Sequence, residues 1–486
     1  MNPTPPRVEN TQPVDSEFEL LFARLEKIAG DRGASRDPDL CDRHATDWSG
    51  LNIALPRAVI RPASTAELSE MLHLCHEAGQ PVTLQGGRTG LAGGAVTGKG
   101  EIALSLDRMR QIGAVDRVAG TITAQAGATL QAVQDAAEEA GLFYAVDFGA
   151  RGTATIGGSI STNAGGIRVL RYGMTRAQVL GLEAVLADGT VLSDMSGIVK
   201  NNTGMDLKQL FIGSEGSLGV VTRAVLKLHP KPPVTTTAWL ALSSDDAMTQ
   251  LLAAARGRFG SALGAFEAMW PDYLDTVARR MPGFPIPIAS SGGPAIILEL
   301  LGDDAAADRD KLETFLGEAF EAGLVANAIF AETLDQARRL WAVRDEVPAE
   351  YPAVFKALVA FDVSVPVIRM SEAVQSLRSD LIEKVADADR LIYGHMGDDN
   401  LHLVLGFQDK VDAPRKQAIE TLVYGLVGKL GGSVSAEHGI GRLKRPWLAH
   451  TRTQQEIATM RRLKAALDPR GILNPGRVLP DEDRSL

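Results

Sequence analysis

The chain has very little cysteine: Cys41 and Cys75 are its only two. Their spacing forms neither a metal-ligand pair nor a disulfide framework, so a cysteine-stapled scaffold is excluded and free thiols in a reducing compartment are expected. No stretch is long and apolar enough to span a bilayer. An excess of basic charge is also missing. Fifty Lys and Arg stand against sixty Asp and Glu, a formal net charge of −10, which argues against a general nucleic-acid binder and leaves room for a local anion pocket. The opening "MNPTPPRVENTQPVDSEFEL" lacks the apolar core of a signal peptide and the Arg- and Ser-rich pattern of a transit peptide. Residues 1–16 therefore read as a flexible tail and the protein as cytoplasmic. No internal repeat of fixed period is visible.

Glycine, by contrast, is abundant and concentrated. Gly86 to Gly219 holds about half of the 49 glycines, far above the usual ~7%. Low-complexity disorder does not explain this, because the glycines alternate with strand-like apolar runs. In "VLGLEAVLADGTVL" (179–192), Asp188-Gly189 is a two-residue hairpin signal. Upstream, "TAELSEMLHLCHEAG" (65–79) reads as a helix with Leu68, Met71, Leu72 and Cys75 on one face and Gly79 as its cap. "PVTLQGG" (81–87) reads as a strand ending in glycines, and "GATLQAVQDAAEEAG" (127–141) as a second helix. After the prolines of "LKLHPKPPV" (226–234) glycine thins and longer helices follow. The expected organisation is α+β: residues 17–232 as one domain, 233–443 as a second, and 444–486 as a C-terminal segment.

The loop "QGGRTGLAGG" (85–94) leaves consecutive backbone N–H groups free of side-chain cover. It suits a phosphate nest or a structural turn equally, and it is not the G-x-G-x-x-G of a Rossmann dinucleotide site. Two more such loops, 152–166 and 200–222, change the balance. Three long polar glycine loops cost backbone entropy that a large ligand with a pyrophosphate and flat rings would offset. Farther on, "GHMGDDNLH" (394–402) sets two histidines seven positions apart. Locally this is a metal site or two ordinary histidines around a turn. "NLHLVL" alternates, so Asn400, His402 and Val404 share one strand face and three leucines take the other. "GGSVSAEHGIG" (431–441) adds Glu437 and His438.

Together, "QGGRTGLAGG", "GGSISTNAGGIRVLRYG", "DLKQLFIGSEGSLGVVT", "YGHMGDDNLH" and "SAEHGIG" resemble the FAD-dependent D-2-hydroxy acid dehydrogenases, a family containing D-2-hydroxyglutarate and D-lactate dehydrogenases. The resemblance runs from "DWSG" (47–50) to "NPGRVLP" (474–480). It implies a vanillyl-alcohol oxidase-type (PCMH-type) FAD domain, an α+β cap domain for substrate and metal, and a C-terminal segment packing back on the FAD domain. It implies that Gly86, Gly87, Arg88, Thr89 and Gly90 wrap the pyrophosphate, with Leu91, Gly93 and Gly94 beside them. Gly157, Gly158, Ser161, Asn163 and Gly165 would follow the ribityl chain and isoalloxazine, and Glu215, Gly216 and Val220 the adenine end. No histidine in the first loop is available to tether flavin, so FAD should be non-covalent. His395, His402 and Glu437 would bind a divalent ion, zinc by donor type. His438 would act as general base and substrate contact, with Arg344 of "LWAVRDEV" on the substrate carboxylate and Asn400 and Val404 beside it.

This chain departs from the D-2-hydroxyglutarate pattern at three places. Pro348, Ala360 and Val404 stand where those relatives carry threonine, lysine and asparagine, which favours a less polar acid such as D-lactate, unless Lys356 reaches in. D-2-hydroxyglutarate remains the reference substrate of the resemblance. Electrons would pass to electron-transfer flavoprotein or a quinone, since no nicotinamide fingerprint is present. A homodimer is the candidate assembly. The contrasting readings are a non-catalytic flavin-binding subunit of a larger complex and a flavin-free metal hydrolase.

Overall fold

The computed structural model describes residues 15–30 and 32–480. Most of the expected tail, residues 1–14, lies outside the described residues. Asp15 caps the first helix, Ser16–Ala29, by accepting the Phe18 N–H.

The N-terminal half is built on two four-stranded sheets. In the first, Val59–Ile60, Ile102–Ser105 and Val82–Gln85 run parallel, and Ala34–Ser35 adds an antiparallel edge. The crossover between Val59–Ile60 and Val82–Gln85 is the helix Thr65–Ala78. Ser64 caps its start, Gly79 in the left-handed region (φ +63°) ends it, and Leu68, Met71, Leu72 and Cys75 are buried. In the second sheet Thr121–Gln125, Val220–Lys227, Val179–Val185 and Val191–Asp194 are antiparallel, and Asp188-Gly189 turns the last pair. Both sheets share one apolar core. The C-terminus joins it: Leu473 bridges Val82, and Ile472 and Leu473 are buried within it.

The second half is a seven-stranded antiparallel sheet in the order Val325–Phe330, Val234–Leu242, Ala295–Gly302, Leu263–Met269, Asp389–His395, Asn400–Phe407, Ala357–Ser364. One face packs on the helices Asp245–Phe259, Ala305–Glu321, Met370–Lys384 and Ala413–Lys429. The other meets the helices Pro271–Arg280, Leu334–Asp345 and Val347–Val354. In Asn400–Phe407, Leu401, Leu403 and Leu405 enter the first core while Val404 enters the second. Each buried leucine contributes about 1.5–3 kcal/mol. A one-residue slip would exchange those leucines with Asn400 and His402, so the register of the histidine strand is firmly set.

Candidate active site

On the second face of the seven-stranded sheet a row of polar side chains crosses strands that are otherwise apolar. Glu267 is the direct antiparallel partner of His395, and His402 pairs with Tyr393 on one side and Asp362 on the other. The strand pairing therefore sets their spacing before any side chain turns.

His395 is buried, and its Nδ1 lies 2.8 Å from Glu267, itself only 2% exposed. Burial alone would lower the basicity of His395, but the Glu267 carboxylate overrides it and lifts the pKa to about 9. Arg344 opposes that second proton. From the end of helix Leu334–Asp345, its Nη2 points at His395 Nε2 from 3.2 Å. With a guanidinium N–H aimed at Nε2, the geometry favours the neutral ring, with Nδ1–H donated to Glu267 and the Nε2 lone pair facing the site. Arg344 Nε also lies 3.2 Å from Glu267, and its guanidinium sits 4.6 Å from the centre of the Tyr393 ring. His402 is held neutral by burial, which pushes its pKa well down.

Asp362 is the second organiser. It is 1% exposed and accepts the backbone N–H groups of Glu437 (3.0 Å) and His438 (2.9 Å). His438 Nδ1 lies 3.5 Å and Lys444 Nζ 3.4 Å from the same carboxylate. Burial would raise this carboxyl, but His438, Lys444 and the His438 backbone N–H hold it far below the usual range. The loop 433–441 is thereby drawn onto the strand face. Glu437 then reaches across to the other half, where its carboxylate accepts the Gly166 N–H at 2.7 Å. Glu215 binds the halves together at a second point, accepting the N–H groups of Ile440 (2.6 Å) and Gly441 (2.8 Å).

The result is convergence. One ligand atom each from His395, His402 and Glu437 lie within 4.8 Å of one another, and Asp362, Glu437 and His438 form a second such group. Asn400 is buried beside them with both amide atoms lacking a hydrogen-bond partner. Such a group calls for a ligand or water.

A cavity of about 700 Å³ opens next to this cluster, between the two halves. The residues expected to hold the cofactor line it, except Gly93 and Asn163. Asn163 instead ends the helix Ile156–Thr162 with φ +51° and accepts the Arg176 N–H. The glycines are required by close approach. A Cβ on Gly87 would stand 2.1 Å from the Thr153 carbonyl oxygen, and one on Gly157 2.6 Å from the Ala126 Cβ. Arg88, at φ +55°, is the one Lys or Arg on the described cavity wall. At the cap end the wall consists of Asp345, Pro348, Ala349, Glu437 and His438. Val404 belongs to the apolar cluster with Val347, Tyr351 and Tyr393. Ala360 pairs with it across the strands.

Two family models match: an FAD binding domain over residues 56–194 and the C-terminal domain of FAD linked oxidases over 231–478. A rice protein named probable mitochondrial D-2-hydroxyglutarate dehydrogenase is 39% identical over 94% of this chain and 81% of its own. A fission-yeast protein named putative mitochondrial D-lactate dehydrogenase is 33% identical over 94% of this chain and 88% of its own. Among solved structures, p-cresol methylhydroxylase superposes with a TM-score of 0.77 at 16% identity, covering 97% of this chain and 98% of that one, a likeness of fold alone. The chain belongs to the FAD-dependent D-2-hydroxy acid dehydrogenase family, on a vanillyl-alcohol oxidase-type scaffold. It is an FAD-binding oxidoreductase. The expectation of a cytoplasmic protein is corrected by these relatives: the rice protein and its plant and animal counterparts are named as mitochondrial. Among the described residues, no helix is long and apolar enough to cross a membrane.

Glu267, Asp362 and Lys444 were not anticipated from the sequence. The signal was there for the first two: a single acid inside an apolar strand, in "LGAFEAM" and "ALVAFDVS". A lone carboxylate in such a run is either misplaced or paired.

Proposed function

We propose that the protein oxidises a D-2-hydroxy acid to the 2-oxo acid with help from a divalent metal ion, and passes the electrons on to a protein or quinone acceptor. The observation that carries this is the convergence of His395, His402, Glu437, His438 and Arg344, a cluster whose Glu437 and His438 reach the wall of the glycine-lined cavity. The donor set fits a zinc-type ion: two imidazoles and a carboxylate, with His395 Nδ1 already engaged by Glu267 and its Nε2 facing Arg344 Nη2 at 3.2 Å, a contact that a bound ion would replace. The unpartnered Asn400 amide fits a polar occupant beside it. A cavity of this size, floored by glycine backbone, fits FAD held without a covalent bond.

FAD, when bound, supplies the hydride acceptor. A divalent ion at the triad would supply a Lewis acid that makes the substrate hydroxyl easier to deprotonate. The chain's own groups do the rest. Arg344, fixed in charge, clamps the substrate carboxylate. His438, oriented by Asp362, takes the hydroxyl proton. Asn400 donates to or accepts from the bound acid.

Of the three departures, Pro348 lines the cavity, Val404 is buried in the apolar cluster and Ala360 is exposed on its strand; an apolar Pro348 on the wall favours an acid with one carboxylate and a small apolar tail. A second carboxylate would meet Asp345 and Glu437 on the wall and would lose several kcal/mol of hydration without a partner. Lys356 does not repair this. It enters the Ala357–Ser364 strand four residues before Ala360, about 13 Å away at the usual rise. The names of the relatives favour the competing substrate, D-2-hydroxyglutarate. A panel of D- and L-2-hydroxy acids with a dye acceptor, in wild type and Ala360→Lys, tests the choice. Short aliphatic D-acids should lead in wild type, and Ala360→Lys should shift kcat/KM toward D-2-hydroxyglutarate. A wild-type preference for D-2-hydroxyglutarate by orders of magnitude would reverse the assignment. Chelation, or His395→Ala, should abolish turnover while the yellow flavin stays bound, and acid precipitation should release that flavin.

A further inference from the structure

We propose that Glu267 is a shared positioning residue: one buried carboxylate aims both the His395 ligand nitrogen and the Arg344 substrate clamp, so that metal affinity and substrate affinity depend on the same group. The inference rests on the metal-assisted reading above.

Glu267 and His395 are direct partners in the antiparallel pairing of Leu263–Met269 with Asp389–His395, so the backbone fixes their separation. The carboxylate meets His395 Nδ1 at 2.8 Å and Arg344 Nε at 3.2 Å. Holding Nδ1 sets the tautomer and the plane of the imidazole, and hence the direction of Nε2. At Arg344 the contact is an ion pair without a hydrogen bond, so it fixes where the guanidinium sits and leaves its angle to other groups. That group is planar and rigid, so fixing its Nε position limits where both terminal nitrogens can point. Tyr393 beneath the plane removes the remaining tilt. Arg344 has another acid nearby, Asp345, but its carboxylate stands 3.9 Å from Nη1 and on the cavity side. His395 has no other carboxylate within ion-pair distance among the described residues. Glu267 is 2% exposed and so makes no contact with bulk water that could serve as its role instead.

The test is Glu267→Gln in the full-length flavoprotein, with Glu267→Asp alongside in case the amide variant folds poorly. The aspartate keeps the charge and retracts it by one methylene. Flavin content and near-ultraviolet circular dichroism report the fold. Zinc affinity is measured by competition with a chromogenic chelator, independently of turnover. It should weaken about 10–100-fold, as for other outer carboxylates that orient a ligating histidine. KM for the best acid of the panel is then measured at saturating zinc. It should stay raised about tenfold with kcat little changed, because refilling the metal does not re-aim Arg344. Recovery of the wild-type KM on adding zinc would overturn the shared role, leaving Glu267 a partner of His395 alone. Unchanged zinc affinity would overturn the His395 half. Failure of the underlying reading looks different: wild type would then bind no zinc and would keep turning over in chelator, while the KM arm would still decide the Arg344 half.

Discussion

Replacing Asp362 with alanine should be among the costliest single changes in this protein, and the structure says why. The carboxylate is 1% exposed, accepts the Glu437 and His438 amides, and faces the buried Lys444 ammonium at 3.4 Å. Without it, Lys444 keeps, among the described residues, the Asp362 carbonyl (3.1 Å) and Ser435 Oγ (3.1 Å). Stranding one member of a buried ion pair costs about 3–5 kcal/mol. The two orphaned amides add about 1–3 kcal/mol each where water does not reach them. Relaxation of the loop 433–441 recovers part of this, leaving on the order of 4 kcal/mol, a large share of a typical total of about 5–15 kcal/mol. Urea unfolding followed by tryptophan and flavin fluorescence measures it. The companion is Asp362→Ala with Lys444→Met. Removing both charges should restore much of the stability, because a buried pair exchanged for apolar side chains is often neutral. It should not restore turnover, because Glu437 and His438 remain unanchored. Two results would refute the reasoning: a single variant within about 0.5 kcal/mol of wild type, or a double variant no more stable than the single.

Glu183→Gln probes a charge in the antiparallel sheet of the N-terminal half. Burial would raise the Glu183 pKa, but Arg223, Thr65 and Thr222 hold it at about 2 against an ordinary 4.5. A depressed folded pKa stabilises above the unfolded value and is lost as pH falls through the folded one. The variant should therefore lose about 2 kcal/mol at pH 7, and its deficit should close between pH 4.5 and about 2 in parallel denaturation curves. A deficit that does not change with pH would mean the charge is not what matters. Gly87→Ala should lower flavin occupancy and melting temperature together, since its Cβ would stand 2.1 Å from Thr153 O in the neighbouring loop. The cost of such overpacking is about 1–3 kcal/mol, and full flavin loading at wild-type stability would show that the loops separate freely.

What the sequence made legible here follows from how local each signal is. The helix Thr65–Ala78 was readable because its cap, apolar spacing and terminating glycine all lie within sixteen residues. The face of Asn400–Phe407 was readable because alternation alone fixes it. The convergence of His395 and His402 with Glu437 was readable only through resemblance, since the loop that carries Glu437 starts some thirty residues later and is pulled in by Asp362. Glu267 and Asp362 were not read at all. Their function depends on which strands become neighbours, and the order of the seven-stranded sheet places Leu263–Met269 beside Asp389–His395 across more than a hundred residues of chain. Periodicity carries no information about that pairing. Yet each of these acids left a trace, a single charge in a strand with no other polar reason to be there. Glu299 is the third such case. Within "AIILELLG" it is met by Arg168, Thr237 and Trp341, and it ties the glycine-rich half to the cap sheet. An isolated acid in a buried strand has to be paired across elements, because left alone its charge would cost more than the strand could stabilise. In this fold the three such acids sit, in turn, against His395 and Arg344, under the loop 433–441, and at the junction of the two halves.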